Sequence, residues 1–200
     1  MLLLYNSQIS GNCYKVRLLL AHLEIPFERR EVDVRDRSDR PELLGELNPA
    51  LRVPTLLLDD GRPLAESNAI LWYFGDGTRF VPDDRYLRTQ VLQWQFFEQY
   101  DHEPALAVAR FWLAYSGEPE AYADRIEGRR AAGYRALEAM ERHLDGRSWL
   151  VGDGMTLADI SLYAYTHVAD EGGFDLSGYP AIRAWLDRVA SEPGHVPIDA

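Results

Sequence analysis

The apolar residues of this chain follow two rhythms, and the change falls near residue 80. Before it they gather in short runs. Leu2-Leu3-Leu4-Tyr5 predicts a strand buried on both faces. Val16, Leu19, Leu20 and Leu23 then recur at helical spacing until Pro26 stops the pattern. Residues 27–34 partly alternate and predict a second strand, giving a βαβ unit whose first loop lies at its first strand's carboxyl end. A charged segment, 35–40, leads to a short helix predicted at 41–47, with Pro41 in its first turn. Residues 55–58 form the next apolar run, Asp59-Asp60-Gly61-Arg62 carries hairpin-turn chemistry, and Pro63-Leu64-Ala65 is a brief return strand. Ser67 stands at the expected N-cap of a helix whose apolar face is Ile70, Leu71 and Phe74.

After residue 80 the period is helical throughout. The pattern predicts a long aromatic-rich helix over 86–115, kinked or divided by Pro104, and helices over 118–144, 156–168 and 181–190. Residues 78–85, with Pro82 and little periodicity, predict a linker between domains at 1–77 and 86–200. Thr156-Leu157-Ala158-Asp159 fits a capping box, with Met155 and Ile160 placed for a hydrophobic staple. Asp159 is therefore read as structural, not catalytic.

Composition narrows the class. At 200 residues the chain is long enough for a substantial core, and 46% apolar with 26% charged residues is ordinary for a folded protein. Its 21 basic against 32 acidic residues leave a net charge of −11, which argues against nucleic acid and anionic membrane as partners. No apolar run approaches the roughly 18 residues of a membrane span, and the start lacks the regions of a signal peptide. The single cysteine, Cys13, excludes an intramolecular disulfide, and together these features predict a cytoplasmic protein. The five histidines are scattered without ligand spacing, so no metal is expected.

Three places carry chemistry. Ser10-Gly11-Asn12-Cys13 opens the first helix, where outward N–H groups favour negative charge and a hydroxyl or amide donates to an anion such as a thiolate. The spacing is that of a thioredoxin-like C-x-x-C with Ser10 for its first cysteine, so thiol chemistry needs Cys13 alone or a thiol brought by a ligand. Loop and cap duties explain Ser10 and Asn12 equally well. Val53-Pro54 precedes a strand, and a proline there means an edge, a bulge, a cis bond or an ordinary trans turn. In the cis case the backbone of Val53 is left to pair with an extended ligand. Glu66-Ser67 sets a carboxylate beside a hydroxyl at a helix start, which suits an α-amino acid head group, although N-capping accounts for Ser67 as well.

In this order and spacing, the Ser10 loop, the N-P-x-x-x-V-P-T segment at 48–55, the E-S-N-A-I run at 66–70, the linker and the T-L-A-D box resemble the glutathione transferase superfamily over nearly the whole chain. The resemblance implies an α/β thioredoxin-like N-terminal domain followed by an all-α C-terminal domain, usually a homodimer, with glutathione as co-substrate. It implies that Val53, with Pro54 cis, pairs its backbone with the cysteinyl part of glutathione, and that Glu66 and Ser67 hold the γ-glutamyl end. Arg52 is a weaker contact. Ser10 and Asn12 would serve the sulfur: Ser10 looks like the theta and zeta serine, while Asn12 and Lys15 fall in register with the nu-class T-P-N-x-x-K. Setting Cys13 against the beta-class cysteine is the disfavoured alignment. Trp94, Phe97, Phe111 and Trp112 would form an apolar wall for the second substrate, and Glu98, Asp101 and His102 are candidates to reach a partner subunit's site. The implied activity is attack of the glutathione thiolate on an electrophile, with detoxification as its use. The alternatives are glutathione-dependent disulfide reduction and a non-enzymatic binding module.

Overall fold

The structure, a computed structural model, describes all of residues 1–200. It divides into two units, Met1–Asp76 together with Pro193–Ala200, and Gly77–Glu192.

The first unit is a four-stranded sheet in the order β2-β1-β3-β4. Its strands are β1 (Leu2–Asn6), β2 (Phe27–Glu31), β3 (Thr55–Leu57) and β4 (Pro63–Ala65), with helices α1 (Gly11–His22), α2 (Arg40–Leu44) and α3 (Ser67–Gly75). β1 runs parallel to β2 and antiparallel to β3, which is antiparallel to β4. The apolar run at the start is buried on both faces, as its pattern predicts. Leu2 and Leu4 pack with Val16, Leu20 and Ile70, while Tyr5 packs with Val32 and Leu44. β2 stops short of the predicted residue 34 because it is an edge strand; only β1 pairs with it, and the residues after Phe27 are exposed.

Two expectations fail here. Ser67 is not the N-cap: Glu66 holds that position, at φ 67°, and Ser67 is the buried first residue of α3. The hairpin delivers the chain one residue early, which turns the Ser67 hydroxyl inward. Residues 193–200, assigned by sequence to the helical half, belong to the first unit. They are held through main-chain carbonyls, which leave no side-chain pattern to read.

The second unit contains α4 (Arg85–Phe97), α5 (Glu103–Arg110), α6 (Ala123–Leu144), α7 (Leu157–Thr166) and α8 (Pro180–Ala190). Pro104 does not divide the long helix. A π-helical turn, Glu98–His102, joins α4 to α5, with the Glu103 N–H bonded to the Glu98 carbonyl five residues back. That extra residue per turn accommodates a ring that would clash in a regular α-helix. The expected linker is packed structure: Phe80 is fully buried, its carbonyl accepts from the Leu157 N–H at 3.0 Å, and Asp84 caps α4 through the Leu87 N–H. Gly133 of α6 lies so close to Phe174 that a Cβ would fall 2.4 Å from its ring. No helix is long and apolar enough to cross a membrane.

The capping box forms as its spacing predicts. Fully buried, Asp159 accepts from the Thr156 N–H at 2.8 Å, the Thr156 hydroxyl at 2.9 Å, the Leu150 N–H at 3.0 Å and the Trp185 indole at 2.9 Å. One carboxylate thus fastens α7, α8 and the preceding loop. Replacing Asp159 by Ala strands these donors, and we expect a loss of about 3 kcal/mol or more in urea unfolding. A loss under about 1 kcal/mol would show that the network carries little.

Candidate functional site

Strand register brings three distant segments to one end of the sheet. Tyr5 near the end of β1 pairs with Thr55 at the start of β3, and Thr55 pairs with Ala65 at the end of β4. The loop after β1 (Ser7–Ser10), the residues before β3 (Arg52–Pro54) and those after β4 (Glu66, Ser67) must therefore lie side by side.

Ser10 is the N-cap of α1, its hydroxyl oxygen accepting from the Cys13 N–H at 3.3 Å. The cap role foreseen for it forms. The oxygen caps, while the hydroxyl hydrogen has no acceptor in the protein and lies at a helix N-terminus, where negative charge is favoured.

Cys13 points the other way. It is fully buried, its sulfur accepts from the Ser7 N–H at 3.3 Å, and burial pushes its thiol up to about 11. Burial and a raised thiol are the surroundings of a structural cysteine.

Lys15 joins the two halves of the site. It has no exposed surface; its ammonium donates to Asn12 Oδ1 at 2.8 Å and to Ser67 Oγ at 3.4 Å, and the Ser67 hydroxyl donates to Asn12 Oδ1 at 3.2 Å. The side chain of Asn12 is thereby oriented by α3. The only trace of Lys15's role in the sequence is its place one turn after Asn12, on a helix face otherwise buried.

The Val53-Pro54 bond is cis. Asn48 braces the loop, donating to the Arg52 carbonyl and to Thr55 Oγ1, both at 3.0 Å, while the Thr55 hydroxyl donates to the Arg52 carbonyl at 2.8 Å. The N–H and C=O of Val53 have no partner within the protein, and the Arg52 side chain is exposed. Glu66 is exposed at φ 67°, ψ 116°, outside the left-handed basin that non-glycine residues visit at modest cost. Sequence reasoning had Asn48 only as part of a motif and gave it no role.

The four aromatic candidates do not form one wall. Trp94 is buried against Phe97, edge to face at 5.2 Å, and against His143 at 4.6 Å. Trp112, in a second π-helical turn with Phe111, stacks on Tyr122 at 4.9 Å beneath Arg125. Eighteen residues of continuous helix, roughly 27 Å, separate Trp94 from Trp112. Of the residues considered for a partner's site, Glu98 and His102 are fully buried, His102 bonded to the Thr166 hydroxyl at 2.9 Å, which leaves only Asp101 exposed. No cluster of three metal-ligating side chains occurs.

Comparison with known proteins matches residues 9–76 to the glutathione S-transferase N-terminal domain and residues 105–193 to its C-terminal domain. The crystal structure of a glutathione S-transferase from Pseudomonas fluorescens Pf-5 superposes with a TM-score of 0.95 at 51% identity, covering 98% of each chain. The chain belongs to the glutathione S-transferase superfamily. Its thioredoxin-like unit and helical unit are the two halves of that fold. Disulfide-bond oxidoreductase YfcG of Escherichia coli K12 is 28% identical over 91% of this chain and 87% of its own length. Ure2p in complex with glutathione aligns with a TM-score of 0.84 at 25% identity, covering 96% of this chain and 95% of that one.

In this superfamily member the lone cysteine gives a direct check on the site. Cys13 should resist alkylation by iodoacetamide at neutral pH in the native protein and react fully in denaturant. Its thiol ionises near 9.0 when unfolded and near 11 when folded, so folding favours the protonated form. This residue's contribution to stability should then be lost as pH rises from 9 to 11. Rapid native labelling would overturn the assignment of Cys13 as inert.

Proposed function

We propose that this protein is a glutathione transferase in which Ser10 activates the glutathione thiol for attack on an electrophile. The carrying observation is the meeting, at one sheet end, of three complementary holders. These are a hydroxyl hydrogen without an acceptor at the start of α1, an unpaired backbone edge at Val53, and the Glu66-Ser67 pair at the start of α3. Val53 binds the cysteinyl backbone as an added strand does. Glu66 takes the α-ammonium of the γ-glutamyl group, and the first amides of α3, the Ser67 N–H among them, take its carboxylate. Arg52, exposed beside Val53, adds a positive charge for the anionic ligand.

Ser10 then donates to the sulfur. A free thiol near pKa 8.5 is only a few per cent thiolate at neutral pH, and lowering it by two units requires roughly 2.7 kcal/mol of preference for the anion. One charge-assisted hydrogen bond supplies ~1.5–3 kcal/mol and a helix N-terminus ~0.3–1 kcal/mol, which together suffice. The thiol proton leaves to solvent, the sulfur forms a bond to the electrophilic carbon, and the leaving group departs with its electron pair. Asn12, anchored by Lys15 and Ser67, keeps the loop in place around that sulfur.

A second reading, glutathione-dependent disulfide reduction, draws support from the Asn12–Lys15 pair and from the relative named as a disulfide-bond oxidoreductase. There the same thiolate attacks a disulfide sulfur and expels the other half as a thiolate. We also propose a cytoplasmic homodimer. Leu92, Phe96 and Tyr100 lie four residues apart along one face of the long helix, and Phe96 and Tyr100 are 68% and 86% exposed, an apolar stripe suited to a second copy.

Calorimetry should detect glutathione binding, and absence of binding at millimolar ligand would sink the transferase reading. Ser10→Ala should raise the pKa of the bound thiol by about 1–2 units, followed by thiolate absorbance against pH. An unchanged pKa would move the role to Asn12. Parallel assays with an aryl halide and a small disulfide then separate conjugation from reduction. In sedimentation velocity the wild type should run as a dimer and Phe96→Asp/Tyr100→Asp as a monomer; a monomeric wild type would remove the stripe's assignment.

A further inference from the structure

Residues 193–200 return to the first unit and end beside the loop that carries Ser10. Side chains from three elements grip their main-chain carbonyls. Tyr14 of α1 donates its hydroxyl to the Val196 carbonyl at 2.7 Å, and His22 Nδ1 lies 2.9 Å from the Pro193 carbonyl. Gln8, in the loop itself, donates to the carbonyls of Ile198 at 2.7 Å and Ala200 at 3.1 Å; Arg29 of β2 reaches Ala200 at 2.9 Å.

Arg17 is the centre of this grip. Its guanidinium is 3% exposed and donates to the Ile198 carbonyl at 2.6 Å on one side. On the other it donates to Asn6 Oδ1 at 2.7 Å, the Gln8 carbonyl at 3.2 Å and the Ser7 carbonyl at 3.5 Å. The same Ser7 carbonyl accepts from the Ser10 N–H at 3.0 Å, and the Ser7 N–H is bonded to the buried Cys13 sulfur. The 193–200 segment is thus one hydrogen-bond relay from Ser10: Ile198 to Arg17, Arg17 to Ser7, Ser7 to Ser10. Ile9 is the one apolar residue of the 7–10 loop, so little apolar surface of its own fixes the loop's shape. Here a buried cation fixes it, and the strap in turn holds the cation in place.

We propose that residues 193–200 act as a strap that fixes the Ser10 loop in its thiol-activating shape, with Arg17 as the positioning residue. The strap touches neither the sulfur nor the electrophile; it works by keeping the Ser10 hydroxyl aimed. This rests on the glutathione reading for its catalytic consequence, but the ordering of the loop does not depend on any ligand.

The test separates the two. Tyr14→Phe/Arg29→Met in the full chain removes side-chain holds on Val196 and Ala200 while leaving the loop's own residues and Arg17's bonds to Asn6, Ser7 and Gln8 in place. Hydrogen exchange followed by mass spectrometry, without ligand, should show the amides of residues 7–10 and 196–200 exchanging about tenfold faster than in the wild type. Loop exchange unchanged while the strap's rises would overturn the proposal, whatever glutathione does. With glutathione bound, the same variant should raise the thiol pKa by about one unit. Arg17→Met should do so by more, and Arg17→Lys should recover part of it. A bound-thiol pKa equal to the wild type's, with the loop loosened, would overturn the catalytic half. If Arg17→Met fails to fold, the double variant still decides.

Discussion

The pairing of β3 with β1 is the constraint on which the site depends. A two-strand register, Tyr5 opposite Thr55, brings residues forty and more positions apart to one end of the sheet. Because β3 is antiparallel to β1, the start of one lies at the end of the other, and a loop before β3 becomes a neighbour of the loop after β1. The hairpin to β4 repeats the manoeuvre for Glu66. A slip of one residue would turn Leu56 and Leu58 out of the core that they share with Leu4 and Val16. Apolar packing thereby fixes the geometry of a polar site that it does not touch.

Apolar packing alone does not hold that site in detail. Each of its segments is braced by one buried polar side chain: Lys15 between Asn12 and Ser67, Asn48 across the Arg52–Thr55 turn, Arg17 beneath Asn6–Gln8. Groups of this kind are expensive to bury unless satisfied, and satisfied they specify one arrangement out of many. The α1 helix carries two of them on a face that also supplies Val16 and Leu20 to the core. One helix therefore anchors the sheet and organises the chemistry.

How far the sequence told this story depends on what kind of pattern each feature leaves. Leu2–Tyr5, the 55–65 hairpin and the Thr156 box are legible because burial and capping impose periodic or fixed-offset residue types. The cis bond was legible as an alternative, from a proline standing where a strand begins. A serine before an apolar helix ordinarily is its cap, and only the positive φ of Glu66 moves Ser67 inward. The 193–200 strap was missed because carbonyl acceptors belong to every residue alike. Phe80 was read as linker since a single buried aromatic in a proline-containing segment has no period. Lys15 and Arg17 were obscured by their type, as lysine and arginine are seldom fully buried.

The burial of Cys13 gives the molecule a chemical character of its own. A glutathione-activating site of the kind proposed above would concentrate a nucleophile that oxidants also seek. Here the chain's own sulfur is kept protonated and closed off from solvent, so the successive oxidation states open to an exposed thiolate are withheld from it. Under the proposed function the vulnerable sulfur would be the exchangeable one, carried in by the ligand and carried away with the product. On that reading oxidation falls first on a replaceable small molecule, and Cys13 is spared.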